Sequence, residues 1–135
     1  LIETRRDLVE HKQDLVQRFV DASIIGWYTY LYGDNTAGNA MIKKLNPEMT
    51  DDLLAYSVAK MKEYGIVDSG DSLRDGIGAM SDARYASFFD KMVLAGVVRR
   101  DIDFRKAYTL QFVNKGVGLD LRPESLNPKN LQSGK

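Results

Sequence analysis

The sequence contains no cysteine, which excludes disulfide bonds, thiolate catalysis and thiolate metal sites. It has a single histidine, His11, which cannot form a metal site alone, and we predict neither a metal nor a cofactor. Nineteen Lys and Arg residues balance nineteen Asp and Glu residues, so the formal net charge is zero. Because the chain lacks a basic field to attract phosphates, nucleic acid is not an expected partner.

Long hydrophobic runs are also missing, since no apolar stretch reaches the roughly 20 residues that a membrane-spanning helix requires. The opening residues, LIETRRDLVEHK, lack the pattern of a signal peptide. Because the sequence begins with Leu1 rather than Met, we interpret it as a processed or truncated product. Its 135 residues suffice for one domain with its own core.

Helical periodicity runs through most of the chain and predicts an all-α fold of five to six helices in an irregular array. Capping and breaking residues place helices at residues 4–12, 13–32, 36–45, 51–64 and 82–95. From Asp103 a helical pattern overlaps a strand-like one, and we favour helix. We predict a helical unit over residues 1–115. Residues 116–135 lack an apolar stripe and are predicted to form an extended or mobile tail.

Apolar spacing also predicts which side of each helix is buried. The expected stripe of the longest helix is Leu15, Val16, Phe19, Val20, Ser23, Trp27, Tyr30 and Leu31. The inward residues expected on the next two helices are Ala37, Met41 and Leu45, then Leu54, Ser57, Val58, Met61 and Tyr64. The stripe expected on the helix at 82–95 is Tyr85, Phe88, Phe89, Met92 and Val93.

Two short motifs suggest chemistry, but each has a simpler explanation. Gly70-Asp71-Ser72-Leu73 matches the signature of one esterase family, whose serine needs an activating histidine, and His11 lies far upstream on a polar helix. Gly76-Ile77-Gly78 could cradle a phosphate, but it matches neither a dinucleotide fingerprint nor a P-loop, so a tight loop is favoured. We therefore predict no catalytic residue and do not expect an enzyme.

A series of motifs between residues 2 and 113 is similar to a known family. In chain order the motifs are Glu3-Thr4-Arg5-Arg6, Arg18-Phe19 with Ala22, Gly26-Trp27 and Tyr30, Asn46-Pro47, G-I-V-D-S-G-D at residues 65–71, Gly78-Ala79-Met80, Arg84-Tyr85 and Ala95-Gly96-Val97. Their order and spacing resemble the C-terminal part of substrate-binding proteins of bacterial ABC importers. The resemblance is to the nitrate, taurine and thiamine-pyrimidine-precursor group, whose fold is the type II periplasmic binding protein.

The resemblance implies a receptor of two α/β lobes that close on a small molecule about a hinge and deliver it to an importer. This chain would be its helical C-terminal part, and the cleft would need the rest of the parent protein. The implied partners are a pyrimidine-like or small anionic solute and the membrane subunits of the importer. The implied location is periplasmic or lipid-anchored outside the cytoplasm, and self-association could cover an exposed apolar face.

The candidate ligand-binding residues are Asp68, Ser69, Met80, Arg84 and Tyr85. They lie in or beside the loop between two well-patterned helices, which is the least core-like part of the chain. Arg84 could bind a carboxylate or sulfonate. The alternative is that these residues only solvate the loop and cap helices, with Arg84 paired to Asp82 or Asp90 on the surface.

Two other functions stay open. The parent could be a pyrimidine-forming enzyme of the same fold that makes a thiamine precursor, with its essential histidine in the absent part. The chain could also be a free-standing helical interaction module. Such a module would have a closed hydrophobic core, whereas a receptor part would expose a large apolar patch.

Overall fold

The computed structural model describes residues 2–126, which form an all-helical fold without strands. The α-helices are α1 (Arg6–His11), α2 (Gln13–Tyr32), α3 (Thr36–Leu45), α4 (Asp51–Glu63), α5 (Ser72–Asp75) and α6 (Asp82–Leu94). Short 3-10 helices follow at Phe104–Ala107, Leu119–Leu121 and Glu124–Leu126. The predicted all-α class with five to six helices is confirmed.

Helices α4 and α6 begin where their capping residues predict. The Thr50 hydroxyl accepts a hydrogen bond from the Leu53 N–H at 3.2 Å. The Ser81 hydroxyl accepts one from the Arg84 N–H at 3.3 Å. These two bonds satisfy first-turn donors that have no partner within their helix, so local sequence alone fixes both starts.

The core is built around one side of α2. Its buried residues on this helix are Val16, Val20, Ile24, Tyr28 and Leu31, spaced three or four residues apart. Ile77, which follows α5, and Phe112, near the C-terminal end of the chain, complete the cluster. Tyr28 lies at the centre and is 0% exposed. Residues distant in sequence therefore meet on a single long helix.

The buried side of α2 is rotated from the predicted one. The residues predicted to be buried but found exposed are Leu15, Phe19 and Trp27. Ile24 and Tyr28, which the prediction omitted, occupy core positions instead. Both sides of α2 carry apolar residues, and the predicted stripe mixed the two sides. The prediction that Trp27 packs in the core is wrong, since its side chain is 42% exposed.

Much apolar surface stays uncovered in the described part of the chain. Met41 and Leu45 of α3 were predicted to face inward, yet both are exposed. Tyr64 and Phe88 are likewise exposed, against prediction, whereas Leu54 and Val58 of α4 are buried as predicted. The core beneath α2 is therefore small, and α3, α4 and α6 each present apolar side chains to solvent.

The C-terminal third differs from prediction in two ways. The helix favoured from Asp103 is reduced to one 3-10 turn, and Tyr108 after it is extended. Residues 116–126 pack against the core, because Arg122 is buried and the Gly116 N–H donates to the Asp75 carbonyl at 3.1 Å. This packing differs from the surface tail expected there. Residues 127–135 of that predicted tail lie outside the described residues.

Glycine is required where this segment crosses α2. Gly118 has φ +74°, and a Cβ on it would lie 2.5 Å from the Tyr28 ring. Any larger residue would be strained in its backbone and would collide with the most buried side chain of the fold. Gly118 therefore sets how closely the C-terminal segment approaches the core.

The orientation of α2, with Tyr28 buried and Trp27 partly exposed, predicts that substitutions at these two neighbouring positions destabilise the fold unequally. Tyr28→Ala removes a fully buried ring and should lower the free energy of unfolding by about 3–5 kcal/mol. Trp27→Ala removes a partly exposed ring and should cost about 1 kcal/mol or less. Urea denaturation of both variants measures the difference, and a larger loss for Trp27→Ala would contradict the register.

Candidate functional site

The segment between α4 and α6 is a compact series of turns that carries Asp68 and Ser72 against α2. It opens at Gly65, whose φ is +58° and where a Cβ would lie 2.8 Å from the Ser69 side chain. The Ser69 hydroxyl donates to the Gly65 carbonyl at 2.6 Å and closes this turn. Glycine is thus needed for the tight approach that positions the rest of the segment.

A buried ion pair joins this segment to the C-terminal one. The Arg122 guanidinium donates from Nε to Asp68 Oδ2 at 2.8 Å and from Nη2 to Asp68 Oδ1 at 2.6 Å. The two side chains are only 4% and 3% exposed. This two-point geometry is the strongest form of an arginine–carboxylate contact, and it links positions far apart in the chain.

The remaining polar atoms of the pair are also satisfied. Arg122 donates to the carbonyls of Ser72 and Leu73 at 2.8 and 2.9 Å, and to the Tyr28 hydroxyl at 3.2 Å. Asp68 accepts from the hydroxyls of Tyr32 and Ser72, each at 3.0 Å. We call Tyr28, Tyr32, Asp68, Ser72 and Arg122 the Arg122 cluster. A buried charge pair is tolerated only when its partners are complete in this way.

The cluster changes the acidity of its members. Burial, followed by the hydrogen bond to the Asp68 carboxylate, raises the pKa of Tyr32 to about 12. Burial also raises the pKa of Tyr28. For Arg122, burial acts to lower the pKa, but the hydrogen bond and charge of Asp68 outweigh it and raise the pKa overall. The cluster therefore keeps the Arg122 guanidinium charged and both tyrosine hydroxyls protonated near neutral pH.

The serine of the esterase-like motif belongs to this cluster. The Ser72 hydroxyl donates toward Asp68 and toward the Ser69 carbonyl at 2.7 Å, and the residue is buried. His11 is exposed on α1, where its ring lies 4.0 Å from Glu10. No contact joins the histidine to the serine in the described residues. The hydroxyl of Ser72 holds the turn together rather than facing a substrate.

The structure separates the five candidate residues into two groups. Asp68 is turned into the Arg122 cluster, where solvent does not reach its carboxylate, and Ser69 closes the turn at Gly65. Met80, Arg84 and Tyr85 lie together at the start of α6. Asp68 and Ser69 therefore have structural contacts, and Arg84 is the exposed member of the group at the start of α6.

The start of α6 is fixed by the C-terminal segment. Asn114 accepts from the Met80 N–H at 3.0 Å and donates to the Met80 carbonyl at 2.8 Å. The Tyr85 ring stacks on Tyr108 with 3.8 Å between centroids and 10° between planes. The Tyr108 hydroxyl donates to Asp82 at 2.5 Å, and this bond raises the pKa of Tyr108.

Arg84 projects from this framework with its side chain exposed. Within residues 2–126, Arg84 pairs with neither predicted surface partner. The Asp82 carboxylate instead accepts a hydrogen bond from the Tyr108 hydroxyl, and the Asp90 carboxylate lies 3.8 Å from the Arg100 guanidinium. We call Met80, Arg84, Tyr85 and Tyr108 the α6 patch. It combines an exposed guanidinium that has no protein partner in the described residues with a pair of stacked tyrosine rings, and such a guanidinium can bind a small anion.

The predicted site residues did not include Arg122, Tyr28 or Tyr32. The available signal was weak: Arg122 is the one basic residue in the stretch V-G-L-D-L-R, and an arginine that becomes buried needs an acidic partner. Asp68, in the G-I-V-D-S-G-D segment, is that partner. Nothing in the local sequence of either segment indicated the pairing.

Neither metal-binding nor membrane-spanning features occur in the described residues. No three His, Asp or Glu side chains there are placed to hold a metal ion. None of the helices there is long and apolar enough to cross a membrane. Comparisons with protein-family models, curated proteins and solved structures found no match.

The Arg122 cluster predicts a large and non-additive effect of substitution. Arg122→Ala leaves Asp68 buried without its cation and should destabilise the fold by about 3–5 kcal/mol in urea denaturation. The double variant Asp68→Asn with Arg122→Ala leaves no uncompensated charge and should cost less than the sum of Asp68→Asn and Arg122→Ala measured singly. Simple additivity of the three measurements would contradict the buried pairing.

The raised pKa of Tyr32 predicts a loss of stability in strong base. The unfolded chain releases this proton near pH 10.0, whereas the folded chain holds it until about pH 12. The contribution of protonated Tyr32 to the free energy of unfolding is therefore complete below pH 10 and is lost as pH rises through 12. Tyr32→Phe should reduce the fall in unfolding free energy across this window, while Tyr56→Phe, at an exposed ring, should leave it unchanged. Identical profiles for all three proteins would contradict the assignment.

Proposed function

We propose that this chain is the helical C-terminal part of a two-lobed substrate-binding protein that delivers a small solute to a bacterial ABC importer. The proposal rests on the small hydrophobic core and the large amount of exposed apolar surface around it. An all-helical chain buries little more than one side of α2, while exposed apolar side chains remain on α2, α3, α4 and α6. A part of a larger receptor has such a surface where the remaining lobes pack.

The α6 patch is the proposed contribution of this chain to the solute site. Arg84 supplies an exposed guanidinium that can hold a carboxylate, sulfonate or nitrate group. Tyr85, the next residue on α6, stacks on Tyr108 and adds a flat apolar surface at the same end of the helix. These two elements match the pyrimidine-like or small anionic solute that the family resemblance implies. The solute cleft is completed by the α/β lobes.

The Arg122 cluster acts as the support of this patch. It fixes the segment that leads into α6, and the same C-terminal segment supplies Asn114 and Tyr108 to the patch. Binding without chemistry agrees with the contacts of Ser72, whose hydroxyl is bonded inside the cluster. A pyrimidine-forming enzyme would need its reactive groups in another part of the parent. A free-standing module with a closed core is less well supported by the exposed surface.

Native mass spectrometry of the protein purified from its natural source tests the proposal. A receptor of two lobes should carry a small co-purified adduct, and after denaturation its single covalent chain should weigh about twice the 15.2 kDa of this chain or more, which separates it from a self-associated pair. The adduct mass would give the solute. A protein of 15.2 kDa that is monomeric and carries no adduct would overturn the proposal.

The proposed role of Arg84 gives a second readout in the same measurement. Arg84→Ala in the intact receptor should lower adduct occupancy at least tenfold, because one charge-assisted contact contributes about 1.5–3 kcal/mol. Arg99→Ala is the matched control, since Arg99 is an exposed arginine after α6 that pairs with Asp101 at 3.2 Å. Equal adduct occupancy in both variants would show that Arg84 does not contact the solute. The receptor proposal itself would still be tested by the mass of the parent protein.

A further inference from the structure

Residues 81–108, which we call the α6 unit, pack mainly on themselves. Tyr85 on α6 stacks on Tyr108, with 3.8 Å between ring centroids. One turn further along α6, Phe89 stacks on Phe104 with 4.6 Å between centroids. No residue of the unit is buried, and none belongs to the core cluster or to the apolar residues packed against it. Among the described helices, α6 has no extensive contact with another α-helix.

Both ends of the α6 unit join the rest of the fold at one place. The chain enters the unit through Met80 and leaves it through residues 109–114. The amide oxygen of Asn114 accepts a hydrogen bond from the Met80 N–H at 3.0 Å, and its amide nitrogen donates to the Met80 carbonyl at 2.8 Å. Hinges in proteins consist of a few such loop residues at the edge of a packed element, so this junction has the form of a hinge.

The backbone at this junction adopts left-handed conformations on both sides. Gly78, just before Met80, has φ +84°, and Asn114 has φ +62°. Within residues 2–126, Asn114 is the one residue other than glycine in the left-handed region. Asparagine tolerates this conformation because its short polar side chain can bond to nearby backbone. The two bonds to Met80 therefore hold a backbone conformation that most residues avoid.

Away from the junction, one exposed hydrogen bond links the α6 unit to α1 in the described residues. Arg6 donates from Nη2 to the Lys106 carbonyl at 3.3 Å. This distance is longer than usual for such a bond, and water competes for both exposed groups. Helix α1 has no buried residue of its own. The contact can therefore break without disturbing the core.

We propose that the α6 unit is a hinged element, which turns as a rigid body about Met80 and Asn114. In the closed state the unit is bonded to Arg6, and in the open state that bond is absent. The stacked rings keep the unit folded while it moves, and the Arg122 cluster holds the chain on both sides of the hinge. Because Arg84 lies on the unit, the motion changes the distance between its guanidinium and the core. Only this consequence for a solute rests on the proposed function.

Paired spin labels measure the motion in this chain, which has no cysteine of its own. One label is placed on Gly26→Cys, where a Cβ meets no atom within 4 Å, and the other on Leu94→Cys, at a residue that is 88% exposed. The control pair combines Gly26→Cys with Asp120→Cys, an exposed position in the 3-10 helix that packs on α2. Labelled chains are diluted in unlabelled ones, so that only distances within one chain are measured. Double electron–electron resonance should give a broad or two-peaked distribution for the first pair and a narrow one for the control.

Removing either contact that holds the unit should favour the open state. Arg6→Ala should raise the open fraction about twofold to tenfold, which is the effect of losing one hydrogen bond. Arg5→Ala is the matched control, because this neighbouring arginine pairs with Asp7 and should leave the open fraction unchanged. Asn114→Gly keeps the backbone conformation but loses both bonds to Met80, so it should broaden the distance distribution further.

Amide hydrogen exchange of the same variants separates a hinge from local unfolding. Rigid-body motion leaves exchange within α6 unchanged, whereas local unfolding accelerates it. Faster exchange throughout α6 in Arg6→Ala would overturn the proposal. A distance between residues 26 and 94 that is as narrow as the control distance in every variant would also overturn it. Neither measurement involves a solute or the mass of a parent protein, so the hinge and the receptor proposal can fail separately.

Discussion

The ion pair between Arg122 and Asp68 is the interaction on which the described fold depends. It is the only contact in the described part of the chain that joins two charges with both side chains under 5% exposed. It ties the turns after α4 to the C-terminal segment and places both against Tyr28 of α2. Because this contact is directional, it fixes where the two segments lie on α2.

Two residues that were both predicted to bind a ligand, Asp68 and Arg84, have different environments in the structure. Asp68 and Arg84 lie in the same loop-to-helix region, and both are charged. Their burial differs: the Asp68 carboxylate is buried and paired with Arg122, whereas the Arg84 side chain is exposed to solvent. A charged residue in a loop is therefore informative about function only when its exposure is known.

Local signals in the sequence predicted the helices well and their packing poorly. Thr50 and Ser81 mark the starts of α4 and α6 because capping involves only neighbouring residues. The buried side of α2 could not be chosen, since apolar residues occur on both sides of it and the choice depends on Ile77 and Phe112, far along the chain. The partnership of Asp68 was equally out of reach, because it depends on a residue 54 positions away.

That separation has a consequence for how the chain folds as it is made. Asp68 leaves the ribosome before Arg122 does, by about 3–11 s at ordinary rates of synthesis. Burying this carboxylate without its guanidinium partner is unfavourable. Early helices can form in that interval, whereas the buried ion pair can form only after Arg122 emerges. The contact that joins the two segments is thus among the last of the described chain that synthesis makes possible.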